Sequence, residues 1–235
     1  MRFEFAAGSE VEFRVGPRSA RARGRLALVG GSLLVDSFDL AITRGHAVFD
    51  LRTIELENDA PAGVRNATDP STEAAPGSLT ERALSWLELA GATPSTAHPE
   101  YRYARFSILS LGALGATSAL EGERVRSEAS RPRRRVRLDA SGELELHGVR
   151  FPYTAPVDAI FEWDASDPAA SAPSRIEIAT REAVGVDLGT HAIVPRRSGG
   201  EVDAEALAEL RKGSGLSLSV TAHWVVIPAA AAVGP

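Results

Sequence analysis

The chain predicts an all-β fold, either a barrel or a sandwich, on three observations. Runs with apolar residues at every second position recur along it. Turn and loop residues separate about eight to ten such runs, mostly about 8–20 residues apart. Helical patterns are too few and too short for the alternating strands and helices of a βαβ fold. A period of two places one face of each strand against a core and the other in water.

The first run, SEVEFRV, sets Val11, Phe13 and Val15 against Glu10, Glu12 and Arg14. RARGRLALVGGSLLVD reads as two strands joined by a turn at Gly30-Gly31, a common hairpin signal. GHAVFDLRTIELEN follows, with Ala47, Phe49 and Leu51 on one side. The stretch NDAPAGVRNATDPSTEAAPGS is a loop long enough to be functional. SLTERALSWLEL opens with Ser78 and Glu81 in capping-box spacing, which predicts a short helix.

YRYARFSILSL is the next strand, and RRVRLDASGELELHGV reads as strands around a turn at Asp139–Gly142. The longest alternation comes next. Phe151, Tyr153, Ala155, Val157, Ala159, Phe161 and Trp163 share one face, and Arg150, Pro152, Thr154, Pro156, Asp158, Ile160 and Glu162 the other. SRIEIAT is a further strand. DAEALAELRKG is a second short helix, with Asp203 as its N-cap and Gly213 past its end. GLSLSVTAHWVV puts Leu216, Leu218, Val220, Ala222 and Trp224 on one face, and the tail IPAAAAVGP reads as disordered. With no linker between independent cores, one domain is the economical reading.

Composition narrows the function classes. The 235 residues are 44% hydrophobic and 24% charged, as in ordinary globular proteins. A net charge of −5 gives no reason to expect nucleic acid or an anionic membrane as partner. The absence of cysteine excludes disulfides, thiolate metal sites and cysteine nucleophiles. No stretch approaches the roughly 18 apolar residues of a membrane span, so stable membrane insertion is not expected. MRFEFAAGSE lacks the apolar core of a secretory signal, which predicts a cytoplasmic protein, or a periplasmic one if a signal has been removed.

No reactive constellation emerges. His46, His98, His147, His191 and His223 are not at metal-ligand spacing, and no nucleophile elbow or phosphate loop is present. No catalytic residue, metal or cofactor is therefore assigned. RPRRRVR reads either as an anion-binding patch of Arg133, Arg135 and Arg137, or as an edge strand whose arginines discourage pairing. His147 and Gly148 read as a structural turn, in which the imidazole hydrogen-bonds the turn backbone.

GELELHGVRFPYTAPV resembles the signature of the YceI-like family: glycine, leucine, histidine-glycine-valine, then an apolar strand. Other stretches resemble family segments in the same order, among them SEVEFRVGPRSARARGRL, DLRTIELEN, SWLELAGATPSTAHPEYRYARFSI and REAVGVDLG, covering roughly residues 9–226. The family's Arg-Asp stretch has only Arg65 and Asp69 as loose counterparts, and its closing phenylalanine is Val184 here.

The resemblance implies a bacterial lipocalin-like antiparallel β-barrel of about eight strands with one or two short helices, spanning 9–226. Residues 1–8 would be a lead-in and 227–235 a tail. It further implies non-enzymatic binding, transport or storage of a polyisoprenoid or isoprenoid-quinone-like lipid in the lumen, with a homodimer as a further partner. On that reading Phe13, Phe49, Leu51, Phe106 and Ile108 line the lumen. So do Leu144, Leu146, Phe151, Tyr153, Ala155, Val157, Ala159 and Phe161. Asn58, Arg65 and Arg181 would meet a headgroup at the mouth. Periodicity alone leaves a second reading open, a self-filled barrel acting as an interaction or scaffold protein, and a third, a small-molecule enzyme at the barrel mouth.

Overall fold

Alternating sequence becomes antiparallel sheet throughout. The computed structural model of the chain describes residues 1–6, 9–15, 22–58, 79–90, 99–113, 115–126, 131–164, 166–197, 201–211 and 217–229. Among them are β1 (Arg2–Phe5), β2 (Glu10–Val15), β3 (Ala22–Leu34), β4 (Arg44–Asn58), β5 (Tyr103–Ala113) and β6 (Glu123–Arg124). The remaining strands are β7 (Arg133–Leu146), β8 (Val149–Glu162), β9 (Arg175–Thr180), β10 (Val184–Asp187) and β11 (Ser217–Pro228). Three short helices are α1 (Leu79–Trp86), α2 (Pro99–Arg102) and α3 (Ala204–Arg211). None is long and apolar enough to cross a membrane.

Eight strands close a ring in the order β2-β3-β4-β5-β7-β8-β9-β11, and β11 pairs back to β2. Closure satisfies edges that an open sheet would leave exposed. β1 and β10 extend the two sides of β11 beyond the ends of β2 and β9, and β6 adds two residues to β7. The sequence places β1 in the expected lead-in, yet Arg2–Phe5 pair with both β11 and β3, and Phe3 is fully buried.

Two expected turns are instead points inside continuous strands. β3 runs straight through Gly30-Gly31, where the register against β4 shifts between Leu28 and Gly30. Gly31 has φ +142°, and a Cβ there would collide with the His46 carbonyl, so this glycine serves the bulge. β7 likewise crosses Asp139–Gly142 without turning. At Gly142 a Cβ would collide with the Ser107 carbonyl of β5, so this glycine permits close strand approach.

Nor is β7 an edge, since it pairs with both β5 and β8. Its arginines face outward into an ion-pair ladder. Arg133 meets Glu162 (3.3 Å) and Glu177 (3.2 Å), and Arg135 meets Asp158 (3.9 Å). The edge-strand reading gives way to this pairing, and two of the three arginines of the anion-patch reading, Arg133 and Arg135, are engaged in ion pairs.

Pro152 and Pro156 sit inside β8 without disrupting the ring. The Pro156 carbonyl accepts the Arg181 N–H (2.9 Å), so the Pro156 backbone faces the β9 side. Pairing with β9 begins only at Val157, and the missing proline donor leaves no ladder bond unmade. β7 and β8 join through His147 (φ 53°) and Gly148 (φ 75°), the two left-handed residues of a tight hairpin turn.

The β4 strand carries the strongest local distortion. Asp50 pairs with Ala27 and Glu55 with Arg25, so four residues of β4 span one of β3. Thr53 Oγ1 accepts the Ala27 N–H (3.0 Å) and donates to the Asp50 carbonyl (2.7 Å) in place of ladder bonds. The buried Asp50 carboxylate accepts the Arg52 N–H and both guanidinium groups of Arg52 and Arg102, at 2.9–3.2 Å. Burial pushes this carboxyl up, and the arginine hydrogen bonds outweigh it, bringing the group down to about 2.

Candidate functional site

One end of the barrel is packed solid. Phe3, Leu33, Leu40, Ala119, Trp163 and Val226 are fully buried there, and the Trp163 indole donates to the Ser171 carbonyl (3.1 Å). Above this floor the inward faces fail to meet, leaving a cavity of about 420 Å³ walled by all eight ring strands. That volume is within the range of small-molecule sites. Alanines at wall positions on facing strands leave the space: Ala104, Ala140, Ala155, Ala159 and Ala222. Ala140 and Ala155 stand directly opposite in the β7–β8 register.

Most residues expected in the lumen reach this wall. Phe13, Phe49, Leu51, Phe106, Ile108, Leu144, Leu146, Tyr153, Ala155, Val157 and Ala159 all line it. Two do not. Phe151 is 43% exposed, beyond the cavity, with its ring beside Tyr153 (5.6 Å) and His191 (6.5 Å). Phe161 is buried but packs on Trp163 (6.2 Å), away from the cavity wall. Both keep the inward parity, yet parity sets the face and not the depth along a strand longer than the cavity.

Arg181 faces outward. Its guanidinium lies 3.6 Å from Asp139 and 3.8 Å from Asp158, on the outer side of the sheet, so it does not serve the mouth. The side chain of Asn58 and all of Arg65 lie outside the described residues. Among the described residues, no arginine, lysine, aspartate or glutamate lines the cavity.

The end opposite the packed floor is covered by α1 and the segment 188–197. Ala83, Trp86 and Leu87 from the first, and Leu188 and Ile193 from the second, complete the wall. They fasten to one another through polar contacts. Ser85 Oγ donates to the Arg197 carbonyl (3.0 Å), the Trp86 indole to the Arg196 carbonyl (2.9 Å), and Arg196 pairs with Glu88 (2.7 Å). Glu88 has φ 58° just past α1, where its N–H reaches the Ser85 carbonyl and that of Leu89 reaches Leu84, a Schellman-type ending.

Segment 188–193 is tied to β8 by a fully buried histidine. The His191 Nδ1–H donates to the Val149 carbonyl (3.0 Å), because a carbonyl can only accept. Its Nε2 lies within hydrogen-bond distance of the Tyr153 hydroxyl (3.1 Å). Burial pushes the Tyr153 phenol up, which keeps it a donor at neutral pH. His147 stacks on Tyr101 (3.8 Å between ring centres) with its Nε2 buried and unpartnered. Burial pushes this imidazole down, partly opposed by the charge of Glu88.

Sequence reasoning missed several wall residues. Ile54 lies in the β4 bulge and Leu56 just past it, where the parity count is broken, and the residues of 188–193 belong to no strand. Trp224 was legible by parity on β11 but not as a wall residue.

The ring and its apolar interior define a lipocalin-like antiparallel barrel with an apolar cavity. No family model matches the chain, and no curated protein does. Among solved structures it is similar to a polyisoprenoid binding domain from Saccharophagus degradans implicated in plant cell wall breakdown. That likeness has a TM-score of 0.50 at 14% identity, covering 97% of this chain and 98% of that one. It is also similar to BcnA of Burkholderia cenocepacia, with a TM-score of 0.51 at 11% identity, covering 93% and 96%. Both likenesses show the fold, and the antiparallel barrel expected from the sequence motifs is the fold observed.

Proposed function

We propose that the chain binds a polyisoprenoid, or a similarly built amphiphile such as an isoprenoid quinone, in its barrel lumen for transport or storage, without catalysing a reaction on it. The observation that carries this reading is the apolar cavity of about 420 Å³ reached by all eight ring strands. The likeness to a solved polyisoprenoid binding domain supports it. So does the wall itself, whose burial of an aliphatic guest gains about 0.8 kcal/mol per methylene-sized group. A few isoprene units offset the cost of association and reach micromolar affinity. The open space favours this reading over a self-filled scaffold barrel.

The test is to denature the purified protein, extract it with organic solvent and analyse the extract by mass spectrometry, beside an Ala155→Trp variant. A lipid is expected from the wild type. The variant fills the space facing Ala140 and is expected to take up about tenfold less lipid while keeping its fold. Extracts empty of lipid, together with no uptake of added isoprenoids, refute the proposal. Sedimentation of the same samples reads out the homodimer that the resemblance implies.

A further inference from the structure

The barrel wall is not laddered along its whole height. β8 pairs with β9 from Val157 to Glu162, and the Arg181 N–H to the Pro156 carbonyl (2.9 Å) ends that ladder. Beyond it β9 gives way to β10, which pairs with β11. Among the described residues, no backbone ladder joins β10 to the opposite part of β8, residues 149–156. The sequence keeps this seam unzipped. The Pro156 backbone faces it, and the two-residue period turns Pro152 the same way, so β8 lacks an N–H at both places. Proline at a strand edge discourages pairing there.

Both lips of the seam belong to the cavity wall, Tyr153 and Ala155 on β8 and Val184, Val186 and Leu188 opposite. Side chains close the space between them. The fully buried His191 bonds the Val149 carbonyl (3.0 Å), lies 3.1 Å from the Tyr153 hydroxyl and stacks on the Tyr153 ring (5.9 Å between centres, 13° between planes). Phe151 stands outside this pair, edge-on to both rings and 43% exposed. Parting a full ladder breaks several backbone bonds together, whereas this seam parts when one imidazole turns away. β4 also leaves β5 above Asp50, but α1 lies there, and its Thr80 hydroxyl accepts the Leu56 N–H (3.1 Å).

We infer that the seam between residues 149–156 and the run from β10 to Ile193 is a lateral gate for the guest of the lumen, with His191 as its latch and Phe151 as an apolar step at its outer lip. This rests on the lumen being a lipid site, and it adds the route by which the lipid enters and leaves. Residues 188–193 swing from β8, and the contacts of α1 with Arg196 and Arg197 need not part.

The experiment follows tritiated farnesol on the full chain, as uptake by delipidated protein and as release when the loaded protein is chased with unlabelled farnesol. His191→Phe keeps a ring in the stack and removes both polar contacts. It is expected to speed uptake and release each about 2- to 10-fold, with affinity changing less than either rate. A merely structural histidine would lower the melting temperature or the affinity without faster uptake. The second perturbation holds the gate shut. Arg150 and Ala192 are exposed neighbours of the Val149–His191 contact, and the chain has no cysteine of its own. In an Arg150→Cys, Ala192→Cys variant, a short bis-maleimide bridge is expected to slow release at least about tenfold against the same protein with its thiols capped singly.

The bridge is made on folded protein, so it decides the matter if His191→Phe fails to fold. Release unchanged by the bridge, or uptake no faster in folded His191→Phe, overturns the gate and leaves the lumen a lipid site. Delipidated wild type that takes up no farnesol overturns the lipid-site reading itself.

Discussion

Replacing Asp50 by asparagine tests whether the β4 bulge is held electrostatically. Asp50 is buried at 5% exposure and receives hydrogen bonds from Arg52 and Arg102, which lower its carboxyl from 3.8 to about 2. That depression corresponds to about 2 kcal/mol of stability. Because the folded value lies below the unfolded one, the contribution is complete above about pH 4 and is lost as pH falls through 2. Asp50→Asn also leaves two guanidinium groups facing each other without their carboxylate. The expected cost at pH 7 is therefore about 2–3 kcal/mol, or a Tm lower by roughly 5–10 °C in a chain of this size.

The assay is urea unfolding of both proteins at pH 7, 5, 4, 3 and 2. The difference in stability should hold from pH 7 to 4 and shrink steeply toward pH 2. A difference that stays constant across the series would refute the electrostatic account and leave the bulge held by Thr53 and packing.

Two further predictions concern the cover of the cavity. The chain has no cysteine, so a Ser85→Cys, Arg197→Cys double variant carries a single dithiol across the contact between α1 and segment 188–197. If lipids exchange by parting these two elements, its oxidised form should exchange them at least about tenfold more slowly than its reduced form, and equal rates would exclude that route. His147 resists protonation in the fold, so stability should fall as pH drops from about 6.5 toward its lowered folded value. His147→Asn, which suits the left-handed turn, should flatten that slope in thermal unfolding. An unchanged slope would place the dependence elsewhere.

Much of the barrel was legible from parity. The run from Ala155 to Trp163 alternates in burial as its residues alternate in polarity, because a strand in a closed ring has one dry face. Glycine was the main source of error. Gly31 and Gly142 are needed where neighbouring backbones approach, and a sequence cannot distinguish that need from a turn. Phe151 and Phe161 were placed on the right face at the wrong height. Arg181 follows the last inward residue of β9, so its outward direction was readable from Thr180, whereas its pairing with Asp139 and Asp158 depends on strand order. The single-turn helix α2 includes Tyr101, where the apolar pattern of β5 begins in the sequence. The cover from 188–197 has no period at all, and only its tertiary contacts reveal it.

The closure of the ring also has a kinetic consequence. β11 joins β2 by pairs such as His223 with Glu10, contacts that span nearly the whole chain. The β7–β8 hairpin, by contrast, needs only neighbours in sequence. Contacts of low sequence separation form early and distant ones late, since each long loop must be ordered before it is rewarded. Docking β11 against β2 therefore closes the longest loop in the ring, and it is the step that sets Val220 and Ala222 beside Phe13 and Val11.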